Sequence, residues 1–70
     1  MATTSDTIKR DRKALKLSQQ RLATLAGVSS KTIQRLESGD PYELSRMTRD
    51  TIARIQRALA AERRRQELLR

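Results

Sequence analysis

LSQQRLATLAGVSSKTIQRLESG, residues 17–39 of a 70-residue chain, writes one pattern twice. Ser18 can cap a first short helix, because its hydroxyl accepts one of the backbone N–H groups that the opening turn leaves without a partner. Leu22 and Leu25 follow on one face, and Ala23 and Ala26 are small enough for another helix to come close. Gly27 comes directly after the last apolar residue, where a left-handed residue ends a helix at no Cβ cost. Val28 leads into a second cap, Ser29. Ile33 and Leu36 supply the next buried pair at i, i+3, and Gly39 closes that helix as Gly27 closed the first.

Two capped amphipathic helices around a glycine turn make a helix-turn-helix unit. The exposed side of its second helix is the more informative one. With Ile33 and Leu36 inward, the expected outward set is Ser30, Lys31, Gln34 and Arg35. Arg and Lys can bond guanine O6 and N7, Gln can pair bidentately with adenine, and Ser can serve either. An ordinary solvated face could carry the same residues, so these four do not choose between the two readings.

The wording of the whole stretch does choose. Leu17-Ser18-Gln19, Leu22-Ala23, Gly27-Val28-Ser29, Thr32-Ile33 and Leu36-Glu37-Ser38-Gly39 stand in the register of the lambda-repressor-like helix-turn-helix family, that of phage repressors and Cro proteins, and the chain resembles it from about Ile8 to Leu59. The resemblance implies an all-α bundle of four to five helices, here with an extended C-terminal helix. It also implies double-stranded DNA as the partner, with Ser30, Lys31, Gln34 and Arg35 reading bases in the major groove. Gln19, with Gln20, Arg21, Ser29, Thr32, Ser38 and Arg46, is then expected at the sugar-phosphate backbone, helped by the N–H groups of a helix N-terminus. Finally, it implies a structural salt bridge between Arg12 on the first helix and Glu37 at the end of the third. That bridge accounts for Arg12 sharing a face with Ile8 and Leu15.

Seventy residues make one domain, 1–70, with a core over about 5–60 and a basic helical extension over 61–70. A domain of this size buries only about 60% of the surface its unfolded chain exposes. Its expected core is aliphatic: Ile8, Leu15, Leu17, Leu22, Leu25, Val28, Ile33, Leu36, Met47, Ile52, Ile55 and Leu59. Tyr42 is the one aromatic residue. Sixteen basic residues oppose eight acidic ones, for a net charge of +8. Nine basic and five acidic residues lie in 1–48, and seven and three in 49–70, so each part nets +4. Such a charge favours a polyanion, either nucleic acid or an acidic membrane surface. No apolar run approaches the ~20 residues that span a bilayer. MATTSD does not begin like a secretory signal, and a cytoplasmic location at the bacterial nucleoid is the expectation.

Along the chain, Thr4 or Ser5 is the expected cap of the first helix, with Asp6 favourable in its first turn. Lys16 stands where the family often has Gly, so a residue poorly suited to left-handed geometry must make the turn into Leu17. Arg21 takes the third position after the Ser18 cap, where an acidic partner is usual, and a nearby phosphate or simple solvation would each accommodate it. Asp40-Pro41-Tyr42-Glu43 signals a short helical turn. Thr48 is the expected cap of the last helix, whose stripe is Ile52, Ile55 and Leu59. From Ala60 onward AERRRQELLR is charged on nearly every face. That extension can be a solvated helix, can lie against phosphates through Arg63, Arg64 and Arg65, or can pair two copies. The last choice makes Leu59, Leu68 and Leu69 candidate dimer contacts, although Glu62 and Gln66 are polar where a coiled-coil seam needs apolar residues.

The chain has neither His nor Cys. It therefore lacks the usual general base near neutral pH, the thiol nucleophile and the common transition-metal set, and it has no glycine-rich phosphate loop. The expectation is a non-enzyme with no cofactor, no metal and no small-molecule ligand. The function so read is a sequence-specific DNA-binding regulator, most simply a repressor of phage or plasmid type, working as a homodimer on an inverted repeat with half-sites ~10 base pairs apart. The rivals are a protein-interaction module, such as an antitoxin or bridging factor, and charge-driven coating of nucleic acid. The lack of stacking side chains argues against single strands as the target.

Overall fold

A computed structural model describes residues 4–39 and 49–69. Among these residues the chain forms four α-helices and no strand: α1 (Thr4–Ala14), α2 (Gln19–Ala26), α3 (Ser30–Ser38) and α4 (Arg49–Leu68). The short helical turn expected at 40–43, Met47 and the Thr48 cap lie outside the described residues.

Each boundary has a local cause. Ser18 and Ser29 sit in extended conformation, and their hydroxyls accept from the N–H groups of Arg21 and Thr32, so α2 and α3 both start on serine caps. Gly27 and Gly39, both at φ 72°, end them. At Gly27 the closure is a Schellman motif: Gly27 N–H reaches the Thr24 carbonyl at 3.3 Å and Val28 N–H the Ala23 carbonyl at 2.9 Å. The same pair of bonds closes α1, from Lys16 N–H to Lys13 at 3.0 Å and from Leu17 N–H to Arg12 at 3.1 Å. Here the left-handed residue is Lys16 at φ 59°, so a side-chain-bearing residue does what glycine does at the other two ends. The N-terminus of α1 differs from expectation. Thr4 and Ser5 both lie inside the helix, and Ser5 is buried.

α1 and α2 each pack against both α3 and α4, and the four helices close on one cluster: Ile8, Leu17, Leu22, Ala23, Ala26, Ile33, Leu36, Ile55, Ala58 and Leu59. Leu15 and Val28 pack at its edge. Leu25 departs from the expected core, with 38% of its surface exposed. With Leu22, Ala23 and Ala26 turned inward, the helical repeat puts Leu25 on the flank of α2, beside Ala58 and Ala61 of α4. Leu59 is buried in the chain's own core at 6% exposure, which removes it as a contact between two copies; Leu68 and Leu69 stay exposed.

The packing of α4 does not stop at Ala60. Glu62, one turn after Leu59, is 4% exposed, and Gln66, one turn later, donates from Nε2 to the Leu15 carbonyl at 3.0 Å. That carbonyl lies directly after the last residue of α1, where the helix itself offers no donor. Glu62 is held within α4 by Arg65, whose Nε lies 3.1 Å from its Oε2, and by Gln66. Two positions that look wrong for a seam thus satisfy each other and the end of α1.

Two predictions follow from this local chemistry. Lys16→Gly should raise stability by about 0.5–1 kcal/mol, since the αL cost of a Cβ exceeds the extra entropy of unfolded glycine; urea unfolding midpoints measure it. The Glu62 carboxyl is held below the usual carboxylate range, first by its hydrogen bond to Arg65 and then by Gln66 and the charge of Arg21, with burial opposing. Because the folded value is depressed, the stability it adds is complete above its unfolded value near 4.5 and is lost as pH falls through the folded value. Glu62→Gln should therefore narrow the gap between urea midpoints at about pH 7 and about pH 3.

Candidate nucleic-acid interface

The exposed side of α3 is set by what its other side must cover. Ile33 and Leu36 are wholly buried, and this puts Lys31, Gln34 and Arg35 in solvent. Ser30 differs from its expected place: it is half-buried, because it lies one turn before Ile33 and Gln34 and so on the flank of the helix. The outward set is thus two cations and an amide, with a hydroxyl at its edge. Lys31 and Arg35 are one turn apart, and both stand clear of the core.

The flanks of α3 are fixed at both ends. At its start, the Ser29 and Thr32 hydroxyls lie 2.9 Å apart and Ser29 Oγ accepts from Thr32 N–H at 3.2 Å, so both side chains serve the cap. At its end, Ser38 Oγ donates to the Arg35 carbonyl at 2.7 Å. Between them, Glu37 turns inward. Arg12 donates from Nε to Glu37 Oε2 at 2.6 Å and from Nη2 to Oε1 at 2.9 Å, a two-pronged pair with side-chain exposures of 11% and 3%. The remaining Arg12 nitrogen, Nη1, donates to the Leu17 carbonyl at 2.7 Å. Gln19 Nε2 adds a donor to Glu37 Oε1 at 3.3 Å. One carboxylate therefore binds α3 to α1, to the α1–α2 turn and to the first residue of α2.

That arrangement brings the N-terminus of α2 beside the C-terminal end of α3. Gln19 and Gln20 occupy the first two positions after the Ser18 cap, where backbone N–H groups point out of the helix without intrahelical partners. Gln20 is exposed and Gln19 half-buried, its amide nitrogen committed to Glu37. Arg21 is placed differently. It lines the groove between α2 and α4 with Leu25, Ala58, Ala61, Glu62 and Arg65. A cation in the first turn of a helix opposes the helix dipole, and the charge of Arg21 acts favourably on the Glu62 carboxylate across the groove. Arg46 lies outside the described residues.

The sequence did not reveal two parts of this site: the bond from Gln19 to Glu37 and the turn from Arg21 toward Glu62. The first joins residues 18 apart and the second spans two helices, so neither has a signal in local spacing. The i, i+3 and i, i+4 relations of Glu62 to Arg65 and Gln66 were readable, but their direction into the fold was not.

Among the described residues, no helix is long and apolar enough to cross a membrane. A family model for the helix-turn-helix matches residues 8–60, most of the chain. No curated protein and no solved structure shows significant similarity to it.

The Arg12–Glu37 pair yields a sharp test. Glu37→Ala should cost about 3 kcal/mol or more, because it leaves a buried guanidinium uncompensated, whereas Arg12→Met combined with Glu37→Met should recover most of the loss. Thermal unfolding of the two single variants and the double variant measures it.

Proposed function

Because the chain belongs to the lambda-repressor-like helix-turn-helix family, a family of DNA-binding regulators, we propose that it is a sequence-specific repressor without catalytic activity that occupies a double-stranded operator through α3. The observation that carries this reading is the division of α3. One side, Ile33, Leu36 and Glu37, is locked into the fold, and the other presents Lys31, Gln34 and Arg35 on a rigid support. Lys31 and Arg35 read purine edges, Gln34 adds a bidentate amide, and Ser30 reaches a base or sugar from the rim. Gln20 and the N–H groups at the start of α2 grip the phosphates beside α3, Gln19 holds that N-terminus in place through Glu37, Ser38 closes the end of α3 on the Arg35 carbonyl, and Ser29 and Thr32 fix the angle at which α3 enters the groove. Two copies associate through Leu68 and Leu69, which are 84% and 71% exposed, so the operator is an inverted repeat. Repression follows from occupancy, which excludes polymerase at the nucleoid, and needs no cofactor.

Selection from a random duplex library at ~0.15 M salt, followed by sequencing, tests the proposal. An inverted motif with half-sites ~10 base pairs apart supports the dimeric repressor, and a lone half-site keeps the DNA reading but removes the dimer. Binding without any enriched motif would sink the assignment of α3. Lys31→Ala and Arg35→Ala should each cost ~1–3 kcal/mol on the selected site and relax one position of the motif, whereas Gln20→Ala should weaken all sequences alike.

A further inference from the structure

α4 carries a second cationic face. Its buried stripe is Ile55, Ala58, Leu59 and Glu62. Arg57 and Arg64, two turns apart, therefore project from the opposite side, with exposed Ala60 between them, while exposed Arg63 lies about 100° round the helix, at the groove it lines with Asp11 and Leu15. Two other cations of the helix are already paired: Arg54 with Asp50 at 3.1 Å, and Arg65 with Glu62. Arg57 Nε turns back only to the Ala53 carbonyl, at 3.4 Å. Among the described residues no carboxylate pairs with Arg57, Arg63 or Arg64, although Glu67 lies within one turn of the last two. Among the described residues, then, no ion pair takes up this charge.

Its direction matters as much as its sign. The buried sides of α3 and α4 converge on one core cluster, with α1 and α2 packed against both helices. Their exposed sides therefore look away from that core in different directions. On this placement the side of α4 that carries Arg57 and Arg64 is not the side of the fold that Lys31 and Arg35 turn outward.

We propose that the Arg57 and Arg64 face of α4, with Arg63 on its flank, holds the phosphates of a second DNA duplex, so that the protein bridges two segments of DNA. The proposal rests on α3 being a DNA-reading helix. The residue types select the occupant. Between Ala53 and Arg64 the outward side offers only arginine, alanine and flanking polar residues, and the exposed Leu68 and Leu69 that serve contact between copies lie beyond it, at the end of the helix. A duplex asks only for positive charge along its backbone, which this face supplies without sequence preference.

The test uses the full chain. A biotinylated duplex carrying the selected operator is fixed on beads, protein is added, and a fluorescent duplex of unrelated sequence is offered at ~0.1 M salt. The wild type should retain the fluorescent duplex. The variant R57Q/R63Q/R64Q should keep operator affinity within about twofold but lose the second duplex, and doubling the salt should lower wild-type retention about sixfold, as three phosphate contacts require. Helical circular dichroism and the unfolding midpoint show whether the variant is folded. Retention that survives in the triple variant would mean that a second copy's α3 holds the unrelated duplex, and would overturn the proposal. So would an absence of retention by wild type while operator binding persists, an outcome that leaves the reading of α3 standing. If selection gives no operator, the α3 reading fails by itself, and the same wild-type and variant comparison with two unrelated duplexes decides the α4 face.

Discussion

A carboxylate with 3% of its side chain exposed needs donors in place of the water it has lost, and Glu37 has three nitrogens within hydrogen-bonding distance. Two come from Arg12 of α1 and one from Gln19 of α2. Arg12 spends its third nitrogen on the Leu17 carbonyl between those helices. Two apolar side chains of similar volume would hold the helices together about as well. What the charges add is direction, because a planar guanidinium meets a carboxylate in few orientations. The angle of α3, the position of the α2 N-terminus beside it and the path of the α1–α2 turn all depend on this one cluster.

The turns then need to be sharp and identical in kind. Three left-handed residues, Lys16, Gly27 and Gly39, end three successive helices. Two of them are glycine, and the lysine is tolerated because the turn it makes is held from outside by Arg12 Nη1 on the Leu17 carbonyl. Local strain at Lys16 and the buried ion pair thus belong to one device. Among the described residues ten small and medium aliphatic side chains, nine from the four helices and Leu17 from the turn between α1 and α2, meet in one cluster that closes over it.

α4 shows how a sequence that fails the apolar pattern can still pack. Burying Glu62 would be costly alone, yet Arg65 and Gln66 lie within one turn of it, and Arg21 faces it from α2. Gln66 also completes the end of α1. The polar stretch after Ala60 therefore closes the back of the domain, while Arg63 and Arg64 stay exposed with no carboxylate partner among the described residues.

Residues 17–39 determined by themselves the two capped helices, the glycine turn and the sides of α2 and α3 that turn inward, because caps, left-handed C′ residues and a 3.6-residue repeat are all local. The outward placement of Lys31, Gln34 and Arg35 followed from the burial of Ile33 and Leu36 for the same reason. Leu25, Ser30, Arg21, Leu59 and Glu62 were decided by tertiary structure alone. Leu25 and Ser30 sit at the border of an apolar stripe, where the angle of the neighbouring helix, not the repeat, settles exposure. Arg21 and Glu62 face each other across two helices, and Leu59 was claimed by its own core before a second copy could use it. Charge and periodicity give which residues a helix can present, and only the packing of α1 to α4 gives what each one meets.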